Sequence, residues 1–179
     1  MNLLLFINMS ANLFVMLSER KRKKILNTAL YKACNKMDKK TAEDFIVMGA
    51  KPDSVLRHVS GVSTNMGYTK RPRMIEMLHK LGATNLNESL LITCRNNFTD
   101  CKRVVRKLIE LGATNLNEAL LIACSNGSGG VAIELAEAGA TNVNEARIKA
   151  LQEGHNVVAE IMTVFGARDP PESSVQSTS

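Results

Sequence analysis

The sequence predicts an all-α fold, a solenoid of about five stacked helix-turn-helix repeats with an N-terminal capping helix. Two observations lead to this prediction. First, one phrase occurs twice, as "GATNLNESLLITC" from Gly82 and as "GATNLNEALLIAC" from Gly112, and self-similarity at a period of tens of residues is the signature of a repeat protein. Second, 45% of the residues are hydrophobic but only 4% are aromatic. Aliphatic residues and Ala must therefore fill the core, which suits closely layered helices.

Further copies extend the pattern along the chain. Related phrases start at Gly49 and Gly139, a truncated one starts at Gly166, and "LNTALYKAC" from Leu26 matches the second half of the phrase. The successive Gly-Ala pairs are separated by 33, 30, 27 and 27 residues. These copies predict a repeat domain over 26–167. Its predicted units lie near 26–48, 49–81, 82–111, 112–138 and 139–165.

Each unit is predicted to contain a helix, a turn, a second helix and a loop. In the fourth unit, Asn115 and Asn117 precede an apolar run, so either side chain could cap the first helix. A Gly- and Ser-rich turn follows, and Val131 and Leu135 mark the apolar stripe of a second helix. Gly139 stands at the usual left-handed stop position. Such a helix pair cannot bury its apolar face alone, which explains why the unit is repeated.

The segments "EALLIACSNGSGGVAIELAEAGA" and "EGHNVVAEIMTVFGA", the latter from Glu153 to Ala167, resemble the ankyrin repeat in their Gly-His turn, Val-Val pair, apolar pair and Gly-Ala ending. The Thr-Pro-Leu-His signature of that family is absent, and the 27-residue period is about six residues shorter than the ankyrin period. The missing residues belong to the projecting β-hairpin finger. This finger-less form resembles the ankyrin-like repeat proteins of large DNA viruses.

The resemblance implies where a partner would bind. In the ankyrin family the concave surface is lined by the ends of the first helices and the adjoining loops, and the residues at those ends vary with the ligand. In this chain the equivalent residues are polar and differ between units, whereas the expected core positions hardly change. The predicted partner-binding residues are Asn35, Lys36, Arg95, Asn96, Ser125, Asn126, Gln152 and Glu153.

The second unit contains an insertion of about seven residues relative to the shortest units, within "GVSTNMGYTKRPR" at 61–73. Insertions in solenoids map to loops on one face, often the binding face. The insertion therefore adds Tyr68, Lys70, Arg71 and Arg73 to the predicted partner-binding residues. A long loop without a binding role is the alternative.

The cysteines favour a structural role. Cys34, Cys94 and Cys124 occupy one position of the repeat, the small buried position at the end of the first helix. Their sulfurs should lie about one repeat apart, which is too far for a disulfide and unsuitable for a metal. Unpaired thiols predict a reducing, intracellular compartment, either cytoplasm or nucleus, or a virion.

The histidines do not indicate catalysis either. The resemblance implies that His155, in the Gly-His turn, ties neighbouring loops together by hydrogen bonds. Neither His58 nor His79 has a repeated acidic, Ser or Cys partner that would form a triad or a metal site. The sequence therefore predicts no catalytic residue, no cofactor and no metal, and the chain is expected not to be an enzyme.

Charge raises the question of a polyanionic partner. The chain carries a net charge of +6, with basic clusters at 19–24, 69–73 and 101–107. Such clusters can be nuclear targeting signals or phosphate-binding patches. Aromatic residues for base stacking are scarce, however, and no sequence-reading module is recognisable. A solvated helix face is the favoured interpretation, and nucleic-acid binding is an alternative.

The two ends of the chain lie outside the repeats. The segment 1–17 is apolar and ends before the basic cluster. It is too short and too interrupted by Asn and Ser for a membrane span, and it lacks the basic start of a signal peptide. We expect 1–25 to form a capping helix and a basic linker, with a membrane anchor as the alternative. The Pro- and Ser-rich segment 168–179 is expected to be disordered.

These patterns together favour a non-enzymatic scaffold that binds a protein partner on its concave face. The first alternative is a structural or assembly component, for instance of a virus particle, that packs against itself or other proteins. The second is a basic accessory protein that binds nucleic acid. The identity of the partner is not encoded in the repeat positions, because these specify the stack and not its ligand.

Overall fold

The computed structural model describes residues 17–61, 70–96 and 100–168. Within these residues the protein is all-α, with ten helices and no strand, which confirms the all-α part of the predicted fold. The helices are α1 (Glu19–Asn35), α2 (Lys39–Val47), α3 (Pro52–Gly61), α4 (Lys70–Lys80), α5 (Leu86–Asn96), α6 (Cys101–Glu110), α7 (Leu116–Ser125), α8 (Gly129–Glu137), α9 (Val143–Gln152) and α10 (Asn156–Val164).

The helices pack sequentially in two rows. In the first row, α1, α3, α5, α7 and α9 contact one another in that order. In the second row, α4 contacts α6, α6 contacts α8, and α8 contacts α10. The first helix of each pair also packs against the second helix of the same pair. Each helix pair therefore covers the pair before it, as expected of a repeat-like fold.

The core between the rows consists of aliphatic residues, Ala and Cys, as the composition predicts. Four successive first helices carry a fully buried Leu at the same repeat position. These residues are Leu30, Leu56, Leu90 and Leu120. The predicted stripe of Val131 and Leu135, on α8, is also buried. Since the same position is buried in unit after unit, the repetition of the sequence follows the repetition of the core.

The Gly-Ala pairs end the second helices. All five glycines of these pairs have φ between +94° and +108°, a left-handed conformation that costs Gly little. The backbone N–H of the following Ala then donates to a carbonyl in the last turn of the helix, for example Ala113 to Leu108 at 2.9 Å. This arrangement is a Schellman motif, and it turns each Ala into the interior.

A ladder of side-chain hydrogen bonds joins successive units at the start of the first helices. In each unit the second residue of the first-helix phrase, as in "LN" at 116–117, is Asn or Asp. Its Oδ1 atom accepts a hydrogen bond from the backbone N–H of the loop residue that follows the next Gly-Ala pair. The five N–O distances are between 2.6 and 2.8 Å. We call this the Asx ladder. Its acceptors are Asn27, Asp53, Asn87, Asn117 and Asn144, and its donors are Lys51, Thr84, Thr114, Thr141 and Arg168.

The ladder changes the role expected for two asparagines. Asn115 occupies the N-cap position of α7, but its side chain makes no capping hydrogen bond. Asn117 lies within α7 and accepts from Thr141 of the next unit at 2.7 Å instead. Neither side chain caps α7, and that of Asn117 holds the following loop instead.

Hydrogen bonds also join units at the opposite ends of the first helices. Nδ2 of Asn126 donates to the carbonyl oxygen of Cys94 at 3.1 Å, and Nε2 of His155 donates to the carbonyl oxygen of Ser125 at 3.0 Å. Thus His155 does link neighbouring units, as the resemblance implies. Gly127 leaves room for this ring, since a Cβ atom there would lie only 2.7 Å from Nδ1 of His155.

Two parts of the chain differ from expectation. The basic residues 20–24, expected in a linker, lie in the first turns of α1. Arg71, expected in a surface loop, lies in α4 with 1% of its side chain exposed, and its Nε atom is 3.2 Å from Oδ2 of Asp100. A buried guanidinium needs such a partner, because desolvation of an isolated charge is costly. The expected capping helix and Tyr68 fall in 1–16 and 62–69, outside the described residues. Of the expected tail, 168–179, only Arg168 is described, and its backbone N–H donates to Asn144 in the ladder.

The Asx ladder can be tested at Asn117. Asn117→Ala removes the acceptor and leaves the N–H of Thr141 without its partner, so we expect a loss of about 1 kcal/mol in the free energy of unfolding. Asn117→Asp retains the acceptor, as Asp53 does naturally in the second unit, and should be close to neutral. Urea unfolding followed by circular dichroism measures both variants. Equal stability of the two variants would show that the hydrogen bond contributes nothing.

A second stability prediction concerns Met37, the described non-Gly residue with positive φ, at +59°. It occupies the turn position that Gly127 and Gly154 occupy in later units. Met37→Gly should raise the free energy of unfolding by about 0.5–1 kcal/mol, because the strain of a left-handed side chain outweighs the entropy that Gly adds to the unfolded chain.

Met48 provides the matched control for this substitution. Its side chain is 42% exposed, against 43% for Met37, but its backbone is right-handed, with φ of −75°. Met48→Gly should therefore destabilise the protein by about 0.5–1 kcal/mol. If both variants shift the urea midpoint in the same direction, backbone strain at Met37 is not the cause.

Candidate partner-binding groove

A groove of about 700 Å³ lies across α5, α7 and α9, on the row of first helices. Three successive units contribute to it, so its shape depends on the spacing between units. That spacing is set by hydrogen bonds on both ends of the first helices. The lining residues are Arg95, Leu121, Ile122, Ser125, Asn126, Glu145, Ile148, Lys149 and Gln152.

The groove contains accessible apolar surface. Leu121 and Ile122 on α7 are half-buried, and the side chain of Ile148 on α9 is 39% exposed. Leu121 and Ile148 occupy the same position in successive repeats. Apolar side chains that remain open to solvent beside polar residues are typical of surfaces that bind another molecule.

The charged residues of the groove lie on its two flanking helices. Arg95, on α5, is exposed, and Glu145 and Lys149 lie on α9. Nζ of Lys149 donates to Oε1 of Glu153 at 2.8 Å, and this hydrogen bond holds the pKa of Glu153 below its usual value. Glu145 is exposed, and Nδ2 of Asn142 approaches it at 3.5 Å. The groove thus presents a cation on the α5 side and a carboxylate on the α9 side.

Four of the predicted partner-binding residues meet in this groove, namely Arg95, Ser125, Asn126 and Gln152. The other four from the same repeat positions do not line it. Asn96 and Glu153 are exposed next to it, and Asn35 and Lys36 lie at the end of α1, in the first unit. Asn126 also has a structural role, because its amide holds the carbonyl groups at the end of α5.

The residues predicted from the insertion do not lie in the groove. Lys70, Arg71 and Arg73 belong to the first turn of α4, in the row of second helices, whereas the groove is formed by first helices. Lys70 is half-buried and Arg73 is exposed. The burial of Arg71 removes it from the surface on which a partner could bind.

Sequence reasoning missed five lining residues. These are Leu121, Ile122, Glu145, Ile148 and Lys149. The apolar ones resemble core residues in sequence, and the charged ones resemble a solvated helix face. A signal was available, because these residues precede Ser125 or Gln152 by three, four or seven positions and so share a helix face with them.

The cysteines are buried thiols, as predicted. Cys34, Cys94, Cys101 and Cys124 are all free and buried. Burial raises the pKa of Cys34 to about 11 and the pKa values of Cys94 and Cys124 to about 12. The thiolate, which is the reactive form of Cys, is therefore disfavoured at neutral pH.

The equivalent position of the last described unit differs. Leu151 stands where the earlier units have Cys or Ser, and its side chain is 44% exposed. Among the described helices, α9 has a neighbour of the first row only on its α7 side. Leu151 is therefore not covered as Cys124 is.

Two further properties of the described residues concern metals and membranes. No group of three or more His, Cys, Asp or Glu residues in 17–61, 70–96 and 100–168 is arranged to hold a metal ion. None of the described helices combines the length and apolar character needed to cross a membrane.

The fold and the groove define the class as an all-α, repeat-like protein with a groove formed by three adjacent first helices. No family model matches the chain, and no curated protein matches it.

Thiol reactivity tests the structural role of the cysteines. We expect the native protein to react with a neutral-pH thiol reagent much more slowly, by about 100-fold or more, than the protein unfolded in urea, because burial excludes the reagent and disfavours the thiolate. Absorbance of the released thiol measures both rates. Fast labelling of one native cysteine, located by peptide mapping, would contradict its burial and indicate a reactive site.

Proposed function

We propose that this chain is a non-enzymatic protein–protein interaction scaffold of the ankyrin-like type that binds a protein partner in the groove across α5, α7 and α9. One observation carries the proposal. Arg95, Ser125 and Gln152 belong to three units and were predicted from the ankyrin resemblance and from the variation of their positions between units, and in the structure they line one groove with an apolar floor. Helices held in register present such side chains rigidly, so little entropy is lost on binding.

Several features support the ankyrin-like part of the proposal. Helix pairs follow one another in two rows, each second helix ends at a left-handed Gly, and His155 bonds to the preceding unit. The loops from Gly112 to Asn115 and from Gly139 to Asn142 are short, in agreement with the finger-less form.

The lining of the groove indicates the chemistry of the partner. An apolar side chain would rest on Leu121 and Ile148, a carboxylate would pair with Arg95, and a cation would approach Glu145. Apolar anchors supply most of the affinity in such interfaces, and charged residues at the rim mainly select the partner. The buried free thiols support a reducing, intracellular compartment for this interaction.

The second candidate function is assembly with copies of the chain or with other structural proteins, as in a virus particle. A specific observation favours it: Leu151, Val157 and Val164, on α9 and α10, are 44%, 70% and 86% exposed. Large apolar side chains in such positions are candidates for burial against another molecule.

The groove can be tested with a double variant, Arg95→Glu with Ile148→Asp. Both side chains are exposed, so the fold should be retained. In affinity capture from cell lysate, with identification by mass spectrometry, we expect the wild-type chain to retain a discrete protein and the double variant to retain about 10-fold less or none. Captures at low and high salt, with and without nuclease, exclude bridging by nucleic acid.

The matched control is Arg73→Glu with Val47→Asp, which makes the same kinds of change at exposed positions on α4 and α2, outside the groove. This control should capture the partner as well as wild type does. Equal capture by the groove variant would overturn the assignment of the groove. Recovery of the chain alone would favour assembly, and a nuclease-sensitive capture would favour nucleic-acid binding.

A further inference from the structure

The net charge of the chain is concentrated in the first helix pair and its flanking residues. Residues 17–51 contain ten Lys and Arg residues against four Asp and Glu residues, a net charge of +6, which equals the net charge of the whole chain. The remaining residues therefore balance to zero. A charge distribution this uneven creates a local positive potential that a neutral repeat stack does not need.

Half of these cations lie on a helical extension. The first helices α5 and α7 begin at Leu86 and Leu116, and the equivalent residue of α1 is Leu26. Helix α1 nevertheless begins at Glu19, so about two turns, roughly 10 Å, precede the position where the other first helices start. We call residues 19–25 the basic extension.

The basic extension is open to solvent. Its five cations are Arg20, Lys21, Arg22, Lys23 and Lys24, of which all but the half-buried Arg22 are exposed. Glu19 is the acidic residue of the extension, and Lys23 bonds to it; the pKa of Glu19 is lowered by this hydrogen bond. Cations near the first turn of a helix oppose the helix dipole, so this cluster is not explained by the stability of α1.

The sequence before the basic extension favours an anionic bilayer over nucleic acid as the partner. Residues 1–17 contain no charged residue, and their polar members are Asn2, Asn8, Ser10 and Asn12. An apolar segment joined directly to a cluster of four to eight cations is the combination that attaches proteins to anionic bilayers. Proteins that bind single-stranded nucleic acid usually add exposed aromatic residues for base stacking. Tyr31 of α1 instead packs against His58 with a ring distance of 5.2 Å.

We propose that the basic extension binds the surface of a bilayer containing anionic lipids, with Lys and Arg side chains contacting the headgroups. The chain lies on the bilayer in this proposal and does not cross it. Long Lys and Arg side chains suit this role, because their aliphatic parts can follow the apolar layer while the charge stays at the headgroups. The proposal is independent of the groove, which lies on α5, α7 and α9.

Vesicle flotation with the full chain tests the proposal. The wild-type chain should float with vesicles of phosphatidylcholine mixed with phosphatidylserine, but not with vesicles of phosphatidylcholine alone, and added salt should weaken the binding. The variant Arg20→Gln, Lys21→Gln, Lys23→Gln and Lys24→Gln should lose binding by about 100-fold or more, since each cation contributes separately. Circular dichroism verifies that the variant remains helical.

The matched control removes four cations from the same unit, with Lys32→Gln, Lys36→Gln, Lys39→Gln and Lys40→Gln. It lowers the net charge equally but leaves the basic extension intact, and it should bind the mixed vesicles within a few-fold of wild type. Three results would overturn the proposal: no binding by wild type, equal binding to both kinds of vesicle, or equal loss in the control. Binding of an RNA or DNA oligonucleotide that depends on the extension, without vesicle binding, would assign it to nucleic acid.

Discussion

The structure depends on one hydrogen bond that occurs in every unit: the side chain of an Asn or Asp near the start of a first helix accepts a backbone N–H from the loop of the next unit. In the fourth unit, Asn117 is both a helical residue and the anchor for Thr141. The bond therefore couples the formation of one helix to the position of the following loop. A single repeat cannot form this hydrogen bond alone, because the donor N–H belongs to the next unit. Its stability therefore depends on its neighbour.

Much of the fold could be predicted from sequence, since its determinants are local and repeated. The Gly-Ala pairs identify the helix ends because a left-handed residue followed by a buried Ala is a local requirement. The Asx ladder could not be predicted in the same way. Asn or Asp near a helix start satisfies the rule for N-caps as well as a bond to the next unit, so the residue type alone does not distinguish the two. The burial of Arg71 could not be predicted from its own unit, because its partner, Asp100, lies in the next unit.

The candidate site could be predicted only in part, for a related reason. Variation between units identifies residues that the core does not constrain, and together with the ankyrin resemblance it predicted Arg95, Ser125, Asn126 and Gln152. Apolar lining residues escape this criterion, because Leu121 and Ile148 satisfy the helical pattern whether or not they are covered. Their exposure depends on the spacing between α7 and α9, which is a property of the assembled stack. The local sequence shows only that they share a helix face with the variable polar positions.

The groove lies within the register of the stacked first helices, whereas the basic extension lies beyond it. The groove needs three units in fixed register, so its residues depend on hydrogen bonds at both ends of α5, α7 and α9. In the basic extension, α1 continues about two turns beyond that register, where none of the described first helices begins at the same level. A rigid stack holds two such surfaces at a constant separation. In the combined proposal, a protein bound in the groove would therefore be presented at a defined distance from the bilayer that binds α1.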